Sequence, residues 1–153
     1  MTTDQNKATA RRLVEEGFNK KNLKLLDEIF AYDAVSHDPQ QPNLARGPEG
    51  ARQSMQVYGT AFPDAKLTIE REIAEGDFVV QYLRTFGTHT GPLANIPATG
   101  KKTDVAGVII SKLRDGKIVE TWSLWDQFSL MQQLGVIPTP ETTPKPAAVG
   151  AAG

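Results

Sequence analysis

Two periodicities divide the chain. Between Asp4 and Phe18 the residues Ala10, Leu13, Val14, Gly17 and Phe18 recur at i, i+3, i+4, i+7 and i+8, the stripe of an amphipathic helix, with Thr3 or Asp4 placed to cap it. A shorter helix is predicted from Leu23 to Phe30 behind Asn22, with Leu26, Ile29 and Phe30 on one side. A third follows Gly47, with Pro48 at its first position, Glu49 in its first turn, and Ala51, Met55, Tyr58 and Phe62 at helical spacing. Phe62-Pro63-Asp64 ends it, and the period then changes to two. Residues 65–74 and 78–88 read as long strands joined at Glu75-Gly76-Asp77, and 104–113 pairs with 118–126 across Asp115-Gly116. Such an Asp-Gly pair is a strong hairpin signal, because both central residues of a type I′ turn need positive φ. Residues 34–37 form a short strand, broken by Asp38-Pro39.

Helices in one half and a meander in the other predict an α+β domain over residues 1–138, with three helices packed on one face of a strongly curved, mainly antiparallel sheet. Such a sheet leaves a cone open at one end. Residues 139–153, rich in Pro, Ala and Gly and without aromatic residues, read as a flexible tail. Residues 90–102, with Gly91-Pro92, Pro97 and Gly100 around the apolar Leu93 and Ile96, form either a lip over the sheet edge or a plain surface loop.

The last strand and the residue that ends it carry the strongest chemical signal. Counting back by two from Asp126 gives Leu124, Trp122, Glu120 and Ile118, so the carboxylate is expected to share a face with an indole. A two-residue turn at Asp115-Gly116 sets Ile109 opposite Trp122, Gly107 opposite Leu124 and Val105 opposite Asp126, with Gly107 leaving room beside the carboxylate. Burial there raises a carboxyl pKa and suits it to proton exchange near neutrality. The competing reading is that Asp126 only caps a helix beginning at Gln127 or Phe128. The opposite face carries Val108, Ile110, Val119 and Trp125, too apolar for bare water; it is expected to meet a second copy of the chain or to be covered by the C-terminal segment.

Composition narrows the chemistry. The net charge is −1, with no basic cluster longer than Lys20-Lys21 or Lys101-Lys102, which argues against a nucleic-acid partner. No apolar run reaches the length of a membrane span and the N-terminus is polar, so a cytoplasmic protein is expected. The chain has no cysteine and two histidines far apart, His37 and His89, which argues against a metal site, and no phosphate-binding or dinucleotide fingerprint is present. No cofactor is expected.

Four segments stand out together: Gly87-Thr88-His89-Thr90-Gly91, Ile96-Pro97-Ala98-Thr99-Gly100-Lys101, the run from Asp115 through Glu120, Trp122 and Asp126, and Gln132-Gln133-Leu134-Gly135. In combination they resemble the SnoaL-like polyketide cyclase, or ester cyclase, family, within the superfamily that includes nuclear transport factor 2 and ketosteroid isomerase. Weaker support comes from Ser36-His37-Asp38-Pro39, Gly47-Pro48-Glu49-Gly50 and Phe62-Pro63-Asp64. The resemblance spans roughly residues 8 to 138. It implies a cone-shaped α+β barrel and a metal-free intramolecular aldol ring closure in which an aspartate, matched here by Asp126, acts as general acid and base. Ketosteroid isomerase solves a similar enolisation with an aspartate in an apolar cavity.

The expected site therefore comprises Asp126 as base, His37 or His89 as candidate donors, and Trp122, Leu124, Gly107, Ile109, Met55 and Phe62 around a hydrophobic small-molecule substrate. Three functions compete: a cofactor-independent cyclase, isomerase or dehydratase acting on an apolar carbonyl compound; a small-molecule-binding protein on the same cone; and a dimeric adaptor with a collapsed cavity.

Overall fold

The computed structural model describes residues 1–139. Apart from Thr139, the tail expected over 139–153 lies outside the described residues. Helix α1 (Thr3–Arg12) starts on a reciprocal cap, in which Gln5 N–H donates to the Thr2 hydroxyl at 3.0 Å and Thr2 N–H donates to Gln5 Oε1 at 2.8 Å. Two donors left free at a helix start are thus satisfied. Beyond Arg12 the coil widens into a π turn, Leu13–Asn19, which the sequence pattern does not announce. Asn19 closes it by mimicking a strand edge: its amide donates to Leu67 O and accepts from Leu67 N, both at 2.8 Å.

Helix α2 (Lys24–Ile29) is preceded by Leu23, without the expected Asn22 cap, and leads into strand β1 (Phe30–His37). Helix α3 (Pro48–Ala61) begins as predicted, with Gly47 at its N-cap and Pro48 in its first turn. Strands β2 (Lys66–Glu75), β3 (Phe78–Thr88), β4 (Lys102–Arg114) and β5 (Lys117–Trp125) follow, and helix α4 (Gln127–Leu134) completes the described order.

The strands form one open sheet in the order β1-β5-β4-β3-β2. The predicted meander supplies four antiparallel strands, and β1 adds a fifth, parallel to β5, at the edge. The fold is α+β, with helices packed on a curved, mixed sheet. Register shifts interrupt β1, β2 and β5, and such bulges bend a strand and increase its twist.

The core lies between helices and sheet. Leu26, Leu83, Leu113 and Ile118 are fully buried there, each side chain stabilising the fold by about 1.5–3 kcal/mol through removal from water. Val14, Leu67, Leu83 and Ile109 join the π turn to the centre of the sheet. A separate cluster of Ala61, Phe62, Leu93, Val105, Leu130 and Leu134 ties the end of α3 to α4 and to the loop after β3. Leu93 is buried in that cluster, so the loop docks as a packed lip.

Candidate active site

One extra residue decides which side chains face the helices. Asp115 and Gly116 take φ of 51° and 79°, the predicted turn, and Arg114 pairs with Lys117. Leu113 then pairs with Ile118 but Lys112 with Glu120, leaving Val119 unopposed as a bulge. Beyond it the register is one residue from the expected one: Ile110 pairs with Trp122, Ile109 with Ser123, Val108 with Leu124 and Gly107 with Trp125. A one-residue slip exchanges the faces of everything downstream.

Trp122 and Leu124, expected inside, therefore lie on the outer face, where Leu124 is 60% exposed and Trp122 stacks with His37 at 5.4 Å between ring centroids. Trp125, expected outside, turns inward with Thr121 and Ser123. Gly107 still makes room for a neighbour, but that neighbour is Trp125: a β-carbon at this position would overlap the indole. Asp126 is exposed. It caps α4, its Oδ1 accepting the Ser129 N–H at 3.1 Å, and it does not border the cavity. The dry setting that motivated its role as base is absent, because the strand ends one residue earlier and the chain has already turned into the helix.

The cone does hold a cavity, about 110 Å³, between the π turn, α3 and the inner face of the sheet. Met55, Phe62 and Ile109 line it, joined by Phe18, Trp125 and Leu67. Its walls are mainly apolar. The carboxylate that reaches it is Asp38, just past the end of β1 and only 6% exposed. Two donors hold it in place: Gln40 N–H to Oδ1 at 2.9 Å and Gln41 Nε2 to Oδ2 at 3.1 Å. Gln41 is itself braced by Ser54 on α3 at 3.1 Å. Since an ionised carboxylate offers about four lone-pair sites, two acceptances leave room for a proton.

Tyr58, one turn beyond Ser54 on α3, faces the same cavity. Burial, helped by the negative charge of Asp38, pushes its phenol up to about 12, so it is a neutral O–H donor at ordinary pH. Gln127, the first residue of α4, also lines the cavity, with its Oε1 buried and unpartnered.

The two histidines have other engagements. His37 borders the cavity, but its Nε2 pairs with Glu120 at 2.6 Å and its ring stacks on Trp122 outside. His89 is fully buried and clasps the lip: Thr99 N–H donates to its Nδ1 at 3.2 Å, its backbone N–H donates to Lys101 O and its carbonyl accepts from Gly100 N. Burial lowers its pKa, favouring the neutral ring. It is absent from the cavity wall, and its side chain acts on loop geometry.

Sequence reasoning thus missed Asp38, Tyr58, Trp125 and Ser123. Tyr58 stood on the predicted apolar stripe of α3, and Asp38 lay in a strand-ending Asp-Pro step, where the chain must turn and donors from the next residues converge. Among the described residues, no cluster of three or more His, Asp or Glu side chains is arranged to hold a metal, and no helix is long and apolar enough to cross a membrane.

Comparison with known proteins agrees with this architecture. The chain is 32% identical over 110 residues to aklanonic acid methyl ester cyclase DnrD of Streptomyces peucetius, covering 71% of this chain and 73% of that one. It is 27% identical over 119 residues to nogalonic acid methyl ester cyclase of Streptomyces nogalater, covering 77% and 89%. Among solved structures, IdmH of Streptomyces antibioticus superposes with a TM-score of 0.74 at 33% identity over 86% of this chain and 99% of that one. TsrD of Streptomyces laurentii, at 24% identity and a TM-score of 0.80 over 90% and 99%, shares the fold. The named relatives are ester cyclases, which supports a cyclase-like enzymatic function. The model of the SnoaL-like polyketide cyclases matches residues 8–134, and the chain belongs to that family.

Proposed function

We propose that this protein forms an enolate from a hydrophobic carbonyl compound, using side chains alone, and directs it to intramolecular aldol-type ring closure. The observation that carries this reading is a buried carboxylate, Asp38, sharing an apolar cavity with a neutral phenol, Tyr58. Asp38 takes the role that the sequence pattern gave to Asp126. Its carboxylate removes a proton from a carbon flanked by two carbonyls, and Tyr58 O–H donates to the oxygen on which charge develops. The enolate carbon then attacks a second carbonyl carbon of the same molecule. The new alkoxide regains the proton from Asp38, which returns to its ionised state, so the step balances without an added oxidant or reductant. Apolar walls strengthen both interactions by excluding water.

The outer sheet face bears Val80, Tyr82, Val108, Ile110, Trp122 and Leu124, several of them exposed, and supports a homodimer through this surface. It replaces the surface expected from Val119 and Trp125.

The test compares Asp38→Asn and Tyr58→Phe with the unaltered protein on β-dicarbonyl substrates, reading turnover and, by calorimetry, binding. Asp38→Asn is expected to retain binding and lose turnover about 10²–10⁴-fold. Turnover that persists at the original rate with binding intact rejects the general-base role of Asp38, whereas binding without turnover in the unaltered protein leaves a binding protein.

A further inference from the structure

The inner cavity alone is small for its proposed task. At about 110 Å³ it falls below the roughly 300–1,000 Å³ usual for small-molecule sites. A second chamber of about 280 Å³ opens beside it, between the end of the π turn and the outer side of α3. Phe18, Met55, Phe62 and Ala65 border both spaces, so the partition is one layer of side chains. At that layer the Met55 methyl lies against the backbone of Gly17, 3.7 Å from where a β-carbon would stand. A methionine has three rotatable bonds and no branch, and is a side chain suited to swing aside.

The outer chamber has a distinct chemistry. Its wall is largely apolar, with one charged residue, Lys21, at the rim. The Lys21 ammonium donates to Pro63 O at 2.7 Å, which fixes its position and leaves two of its three N–H groups free for an acceptor. Gly59 on α3 is part of its lining, and nothing stands within 4 Å of where its β-carbon would be.

We infer that the two chambers are halves of one substrate site: the reacting dicarbonyl occupies the inner cavity beside Asp38, and an elongated apolar portion ending in a carboxylate passes Met55 into the outer chamber, where Lys21 receives it. This rests on the proposed function for the inner half only. The outer half is a specificity subsite, and it selects long acidic substrates over short neutral ones.

The test uses two probes, acetylacetone, which needs only the inner cavity, and a β-diketone carrying a hexanoate tail. Binding is followed by calorimetry and by amide chemical shifts. The tailed probe is expected to shift Gly59, Thr60 and Lys21 as well as Thr103 and Ser123, whereas acetylacetone shifts only the last two. Gly59→Phe, which adds a large side chain at the lining of the outer chamber and replaces a helix glycine with a better helix former, is expected to weaken the tailed probe about tenfold and leave acetylacetone unchanged. Lys21→Met is expected to weaken the tailed probe but not its methyl ester, with Tm reporting that both variants remain folded. Failure of the tailed probe to bind, or binding untouched by Gly59→Phe, overturns the two-chamber site. If acetylacetone shifts no inner residue while the tailed probe still fills the outer chamber, the proposed function fails and the outer site stands.

Discussion

The two faces of β5 differ by one residue in register and by everything in chemistry. Outward, Glu120, Trp122 and Leu124 meet His37, Phe78 and the apolar rows of β3 and β4. Inward, Thr121, Ser123 and Trp125 meet the cavity. Both faces carry an indole, so hydrophobicity alone does not tell the cavity side from the outer side. The bulge at Val119 does, because it reverses the alternation near the start of the strand. Aromatic residues at the end of a strand are therefore weak markers of a site until the register is known.

The largest effect expected from breaking this contrast lies in the carboxylates. Asp38→Asn removes the proposed base and, by steady-state kinetics, is expected to reduce turnover by about two to four orders of magnitude, the usual worth of general-base catalysis. Asp126→Ala removes an exposed helix cap and is expected to cost about 1 kcal/mol in chemical denaturation with turnover nearly intact.

Next is the glycine under the inner indole. Gly107→Val drives a branched side chain into Trp125 and is expected to cost about 1–3 kcal/mol or more, lowering Tm by several degrees and closing the cavity to ligand. The two indoles then separate spectroscopically. Trp125→Phe is expected to abolish the fluorescence change on binding a β-dicarbonyl, and Trp122→Phe to preserve it; the reverse pattern would restore the register read from the sequence.

Much of the fold was legible because its signals are local. Gly47-Pro48, Asp115-Gly116 and the change from a period near four to a period of two mark α3, the hairpin and the start of the sheet. Features that depend on distant partners were not. Val119 looks like any strand residue, and its exclusion from the ladder follows from how β5 meets both β4 and β1. The parallel seat of β1 against β5 joins segments more than 80 residues apart, as His37 and Trp122 show. The site suffered most, since a one-residue error in register moved Trp122 and Leu124 out and Trp125 in. Met55, Phe62 and Ile109 line the cavity because the α3 stripe and the β4 alternation do not cross that bulge.

A smaller effect is expected at the lip. His89 has a folded pKa lowered by burial, relative to about 6.5 when exposed, so the unfolded chain binds the proton more readily. Stability then rises with pH between the folded value and 6.5, and falls on acidification through that window. Tm measured across it is expected to decline toward low pH, and His89→Gln to flatten the slope. Hydrogen exchange in residues 90–101 reports whether the lip opens first.

The central claim is that Asp38, not Asp126, moves the proton. Incorporation of solvent deuterium at the carbon between the two carbonyls of a bound β-keto ester measures that step apart from ring closure. The account predicts catalysed exchange in the unaltered protein and in Asp126→Asn, and its loss in Asp38→Asn. Exchange that persists in Asp38→Asn, or disappears in Asp126→Asn while the fold and binding are retained, would contradict it.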